Sequence, residues 1–449
     1  MLGEKERLSR HRPRSEGTPW RVGLSVIMLL GCVSCRRAPC QDALSAAVAQ
    51  LNTRDEYSGV KAFGKLAGMG EPVVPRLCAI LPQATEREKD GLIRLLRWYP
   101  RRDVEAAFEG IFRADRGDIR REAVLYLGQW QDRAVEEDVL AMAQAQQPED
   151  RAAAVEAAGY YGDRRSFGTV CGAMIDRAAV VRLAAVKALA RFPGYAPGPR
   201  IVGLLGDRDG EVRLAAYVSL ARVDPQNANI RWDTNEIGTE LITSKNELEV
   251  ESCALALASA GVPASSKYLA QVLRGSSDDA AYAVLDDMRR SSVPLAWADL
   301  KPCFTRPWAA RYAAMEIAGR RRMLAALPML VKMLSSGSWG DRHAAADALR
   351  RLSTKEAVPT LKKLLGDDTL EIRTLAAEGL VRLGIDDPRI SAVRNAVEAE
   401  SRNPDYDRRE QAAKACRRFG DSWAKRLLGR LAQDPVVFVR YAAEHDPDE

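Results

Sequence analysis

The feature that most constrains this chain is an arginine that returns every 31 residues with the same neighbours around it. It stands at Arg120, Arg151, Arg182 and Arg213, with Lys89 in the same register one step earlier, and again at Arg311, Arg342 and Arg373. After one longer step of 36 residues, Arg409 and Arg440 resume the interval. Other columns travel with it. Three residues on stand Ala123, Ala154, Ala185, Ala216, Ala314, Ala345, Ala376, Ala412 and Ala443, and seven residues on stand mostly leucines, from Leu127 to Leu380. Positions three, four and seven apart share one helical face, so each period holds a helix whose inner face is fixed. An alanine kept in such a column demands a close helix–helix approach that a larger side chain would block.

A second helix in each period precedes the first. Arg200–Leu205 runs into the turn Gly206-Asp207-Arg208-Asp209-Gly210, and Val358–Leu365 runs into Gly366-Asp367-Asp368. The glycine is expected to close one helix in a left-handed conformation, and Asp or Thr to cap the next through its free N–H groups. The unit is an αα-hairpin, and repetition makes the chain an all-α solenoid of about twelve hairpins, a core that grows along one axis. Composition agrees: 47% of residues are apolar but only 6% aromatic, so the core is built from Ala, Leu and Val. Aromatics ten residues after the basic column (Tyr99, Trp130, Tyr161, Phe192, Phe419) read as core positions.

The phrase Leu-Gly-Asp-x-x-x-Glu-Val/Ile-Arg-x-x-Ala-Ala, at Leu205–Ala216 with a near copy at Leu365–Ala377, resembles the short HEAT-like repeats of phycobilisome lyase subunits. The resemblance covers most of residues 45–445 and implies the fold; unrelated functions share the scaffold. Two breaks interrupt the array. About seven extra residues within Asp224–Leu248 suggest an irregular junction, 224–248, between a first sub-array at 45–223 and a second at 249–449. Further extra residues lie near Gly384–Arg408, and the acidic Asp446–Glu449 reads as a polar end.

The first 31 residues read as an address. Lys5, Arg7, Arg10, Arg12, Arg14 and Arg21 outweigh Glu4, Glu6 and Glu16, and Val22–Leu30 is a short apolar run. That run is about half of the roughly 20 residues a membrane span needs and matches a signal-peptide core. Leu29-Leu30-Gly31-Cys32 resembles the lipobox of bacterial lipoproteins. The resemblance implies cleavage before Cys32, its acylation, a tether at 32–44, and residence in the bacterial cell envelope, facing the periplasm with the outer membrane slightly favoured. A plain apolar anchor and a cytosolic protein with a misassigned start are the other readings, and Cys35 competes with Cys32 as acceptor.

Chemistry is sparse. Of three histidines, His11 lies in the leader, and neither His343 nor His445 is followed by Glu. The His-Glu pairs that hold iron in deoxyhypusine hydroxylase, an enzyme on similar repeats, are therefore missing. Cys32-Val33-Ser34-Cys35 has no second pair to make a zinc site. Cys78, Cys171, Cys253, Cys303 and Cys416 read as small buried hydrophobes, and Cys35 with Cys40 as a disulfide near the anchor. There is no phosphate loop or nucleophile elbow, so neither metal, cofactor nor catalytic residue is expected. The net charge of +6, half of it in the leader, is too thinly spread to argue for nucleic acid.

The column arginines read as repeat-stabilising residues paired with turn carboxylates such as Asp207, Asp209 and Asp367. Trp339, in the loop-like Ser335–Gly340, is the best candidate for an exposed partner contact. The expectation is a non-catalytic, membrane-anchored scaffold that binds a protein or peptide along its curved surface. A HEAT-type nucleic-acid module and a lyase-like accessory protein are the alternatives.

Overall fold

The computed structural model describes residues 41–52, 56–244, 246–275, 277–336 and 338–445. Cys32, the leader, the Cys35 and Cys40 pair and the acidic tail lie outside them. The described residues form 26 α-helices joined by short turns and 3-10 segments, with no strand among them. None of these helices is long and apolar enough to cross a membrane.

Helices alternate in kind. The first of a hairpin is often short, as in Glu136–Met142, Leu327–Met333 and Val358–Leu364, and the second longer, as in Pro148–Tyr161, Trp339–Leu352 and Leu370–Arg382. The second helices carry the repeating columns. Ala123, Ala154, Ala185, Ala216, Ala314, Ala345 and Ala376 are completely buried, as are Leu127, Leu189, Leu220, Leu349 and Leu380. Glycine joins alanine where these helices touch. A Cβ added at Gly319 would fall 2.6 Å from Ala348 Cα, and one at Gly128 2.8 Å from Ala157 Cα. One hydrophobic cluster runs unbroken from Leu44 to Val437.

The turn inside each hairpin is built differently from the expectation. Gly206 and Gly366 are not left-handed; the positive-φ glycines fall mostly after second helices, at Gly162, Gly261, Gly384 and Gly420. An aspartate side chain does the work instead. Asp207 accepts from Asp209 N–H at 2.9 Å and Asp367 from Thr369 N–H at 2.9 Å, so the turn closes in ordinary right-handed geometry. Asp209 then caps the helix Gly210–Val223 by accepting from Val212 N–H, whereas Thr369 makes no side-chain cap.

Within 224–248 the extra residues form a long first helix, Ala228–Thr243, capped by Asn227. Thr234 in it meets the buried Tyr217 hydroxyl at 2.8 Å, tying it to the preceding hairpin.

The stack of residues 41–445 closes on itself. Phe438 of the last helix, Val437–Glu444, lies 6.2 Å from Phe63 and 5.3 Å from Trp98, and Tyr441 lies 5.1 Å from Trp98. Glu71 N–H donates to Pro435 O at 3.1 Å, and Arg440 pairs with Glu71 at 2.7 Å. Gly70, at φ 73°, sits so near Pro435 that a Cβ would meet its carbonyl oxygen at 2.7 Å. Consecutive hairpins joined end to end form a ring, and the layer of tightly spaced second helices forms its inner side, because a curved stack is shorter on the inside.

Candidate functional site

The column arginines form one repeated bond pattern. Arg182 donates through Nη1 to the carbonyls of Asp176 and Arg177 in its own turn, and through Nε and Nη2 to Asp207 of the next turn, both at 2.7 Å. Arg151 grips Asp176 in the same two-pronged way at 2.8 Å, Arg409 grips Asp434 at 2.6 and 3.0 Å, and Arg311 grips Asp341 at 2.9 Å. Arg342 stands 3.8 Å from Asp367. Arg213 and Arg373 hold their own turns through the Asp207 and Asp367 carbonyls respectively, and Arg120 holds Phe112 O and covers its ring. Arg440 keeps its own turn and takes Glu71, at the far end of the chain, as acid.

Each fork joins two hairpins with charge-assisted bonds, and it holds the Asp176 and Asp207 carboxyls below their usual range through the hydrogen bonds of Arg151 and Arg182. Arg182→Met, which keeps the stem but not the fork, is expected to cost about 2 kcal/mol of stability, read from denaturant unfolding. Arg182→Lys should recover little of it, because an ammonium cannot reproduce the fork.

Trp339 is 44% exposed, but it does not sit in a loop. It opens the helix Trp339–Leu352, whose cap is Ser338, accepting from Asp341 N–H. Its ring lies 5.0 Å from His343. One period earlier Trp308 opens Trp308–Arg320, is 48% exposed, and packs 5.3 Å from Tyr312. The two are neighbours, since a Cβ on Gly340 would touch the Trp308 ring at 2.7 Å. Trp308 was missed as a contact residue, although a tryptophan three residues before the arginine in two successive periods is visible in the sequence.

A charged ladder follows on the second helices beyond. Arg289 pairs with Glu316, Glu316 with Arg320, Asp347 with Arg350 and Arg351, and Glu378 lies between Arg350 and Arg418. Elsewhere Glu105, Glu109 and Asp132 bring carboxylate oxygens within 4.8 Å of one another. These are the described residues best placed to hold a cation, but Arg101 already binds Glu105 and reaches Asp132 at 3.8 Å, supplying the positive charge. Cys253, Cys303 and Cys416 are buried and Cys78 and Cys171 half-buried; burial pushes the Cys253 and Cys416 thiols up to about 12.

Other carboxyls are pushed the other way from those in the forks. Burial, helped by neighbouring acids, raises Glu122, Asp233 and Asp407 to about 6. Their folded-state values exceed the unfolded ones, near 4, so they penalise folding when ionised and the penalty fades as pH falls through 6. Asp176 and Asp207 have the opposite sign: their contribution is present above about 4 and is lost as pH falls further. Thermal unfolding should therefore show stability rising from pH 7.5 to a maximum near about 5, then falling.

Comparison with known proteins identifies the hairpins. Residues 104–190 and 305–381 match the family model described as HEAT repeats. No curated protein matches. Among solved structures, Kap95p, described with RanGDP in nuclear import complex assembly, is 12% identical over 90% of this chain and 66% of its own, with a TM-score of 0.37. The karyopherin Kap121p, bound to the extreme C-terminus of the phosphatase Cdc14p, is 12% identical over 89% of this chain and 53% of its own, at 0.39. An engineered protein is 16% identical over 89% of this chain and 97% of its own, at 0.30. This chain spans about half to two-thirds of the lengths of Kap121p and Kap95p. The described residues form an all-α solenoid of helical hairpins, and those of 104–190 and 305–381 match HEAT repeats.

Proposed function

We propose that the closed array is a non-catalytic protein-binding scaffold, held at a bacterial envelope membrane by a lipid on Cys32, with 1–31 as the signal and the tether running from Cys32 to the helix Gln41–Ala49. The observation that carries the binding part is the pair Trp308 and Trp339, exposed side by side on adjacent helices. Tryptophan is the side chain most enriched where binding energy concentrates, and in this chain most other aromatics are spent on the core or the seam. The column arginines, by contrast, are taken up by turn carbonyls and carboxylates of the chain itself, which is the ground for reading them as repeat-stabilising and for setting nucleic acid aside.

Two measurements test the two parts. Cross-linked complexes recovered from native membranes should lose their partner in Trp308→Ala/Trp339→Ala while the variant stays folded; recovery of the same partner in equal yield sinks the tryptophan surface. Intact-mass analysis of the N-terminal peptide should show an acylated cysteine at position 32 that disappears in Cys32→Ala. A protein with Met1 intact and no acyl chain removes the envelope from the reading.

A further inference from the structure

We propose that one face of the two second helices within residues 179–223 is a docking groove for an acidic, amphipathic helix of a partner protein. This rests on the scaffold reading above and names the partner's chemistry.

On a second helix one row of positions falls one, five and nine residues after the column arginine, at helical spacing. Between Trp308–Arg320 and Tyr406–Phe419 these positions neutralise themselves, through Glu316 with Arg320, Asp347 with Arg351, and Glu378 near Arg418. The helices Ala179–Leu189 and Gly210–Val223 break that rule. Their first positions are Leu183 and Leu214, and Val218 follows on the second helix; all three are only partly covered by the core. Val180 beside them is 40% exposed. The result is an apolar strip in a row that is ionic between Trp308–Arg320 and Tyr406–Phe419.

One edge of the strip is basic. Lys187, Arg191 and Arg222 line it, and none of them makes an ion pair among the described residues. Arg191 is held in place rather than loose: its Nη2 donates to the Tyr160 hydroxyl at 3.1 Å, and its guanidinium lies 4.1 Å over the Tyr160 ring. Its Nη1 is buried without an acceptor. In the same register Glu156 stands on the preceding second helix, and Glu211 lies in the first turn of Gly210–Val223. A ligand must therefore be apolar on one face and acidic on a single flank, the one turned to Lys187, Arg191 and Arg222.

Length follows from packing. Two steps between second helices, from Pro148–Tyr161 to Gly210–Val223, cover roughly 20 Å at ordinary interhelical spacing. A helix of about 13 residues covers that distance. The chain's own leader is excluded as the occupant by its sign, since Lys5, Arg7, Arg10, Arg12, Arg14 and Arg21 would face like charge.

The test uses the full chain and labelled helical peptides of about 16 residues, with leucines on one face and glutamates on one flank, or lysines in their place. Fluorescence anisotropy should show the glutamate peptide binding and the lysine peptide not. Lys187→Glu/Arg222→Glu, which leaves the Arg191–Tyr160 packing untouched, should weaken the glutamate peptide about tenfold and admit the lysine peptide. Val218→Asp should also weaken the glutamate peptide. Equal binding of the two peptides, indifference to the charge reversal, or duplex DNA outcompeting the glutamate peptide overturns the groove. A native partner lost on Trp308→Ala/Trp339→Ala but kept on Lys187→Glu/Arg222→Glu overturns the groove and leaves the scaffold standing.

Discussion

Replacing Gly319 with valine is expected to cost about 3 kcal/mol, the upper end for forcing volume into a packed interior. The reason is what lies opposite. The new Cβ would fall 2.6 Å from Ala348 Cα and 3.2 Å from Ala348 O, both backbone atoms that no rotamer change can move. The only relief is to push the helices Trp308–Arg320 and Trp339–Leu352 apart, and that opens voids along the buried Ala314 and Ala345 columns on either side. Helix propensity works in the opposite direction, by less than about 1 kcal/mol, and does not rescue the contact. The matched control is Gly168 on the first helix Arg164–Ala173, where a Cβ meets nothing within 4 Å. Gly168→Ala should stabilise by about 1 kcal/mol through propensity alone. Chemical denaturation of the two variants separates packing from propensity: equal effects would mean that the spacing of second helices does not hold the array together.

The repeat was legible because its determinants are local. Arg182, Ala185 and Leu189 lie within two turns of one helix, and each successive hairpin restates them. The pairing of Arg182 with Asp207 was also within reach, since both recur at fixed offsets. Other features were not local. The motif Ser335–Gly340 has the composition of a loop, and only the capping of Asp341 N–H by Ser338 shows that Trp339 already belongs to a helix. Gly206 carried the composition of a left-handed cap, but Asp207 supplies the hydrogen bond that such a cap would have provided. Within the candidate surface, the reversal from ionic ladder to apolar strip was present in the sequence as Leu183, Leu214 and Val218. It became meaningful only when the fold set those positions in one row on adjacent second helices. Closure itself had no sequence signature: Phe63, Trp98, Phe438 and Tyr441 look like any half-buried aromatics, and their meeting depends on small rotations summed over every hairpin between them.

Opening that seam is the other large effect. Trp98→Ala together with Phe438→Ala is expected to remove about 4 kcal/mol, since each aromatic truncation in a packed site costs about 3–5 and these two share one partly exposed contact. Arg440→Ala should matter far less, because Glu71 is half exposed and such pairs are worth about 1 kcal/mol or below. The double variant should also change shape. In an open solenoid each hairpin is stabilised mainly by its two neighbours, and the terminal ones have only one. Here the ends serve as neighbours to each other, through the Trp98 cluster and the Glu71 to Pro435 backbone bond, so the ring has no fraying point until the seam is cut. Cutting it creates two ends at once. Solution scattering should then show a larger maximum dimension, and hydrogen exchange should rise first in Glu56–Gly68 and Val437–Glu444 while Trp339–Leu352, on the far arc, keeps its protection. A uniform rise in exchange with unchanged scattering would mean that the seam adds stability without closing the ring.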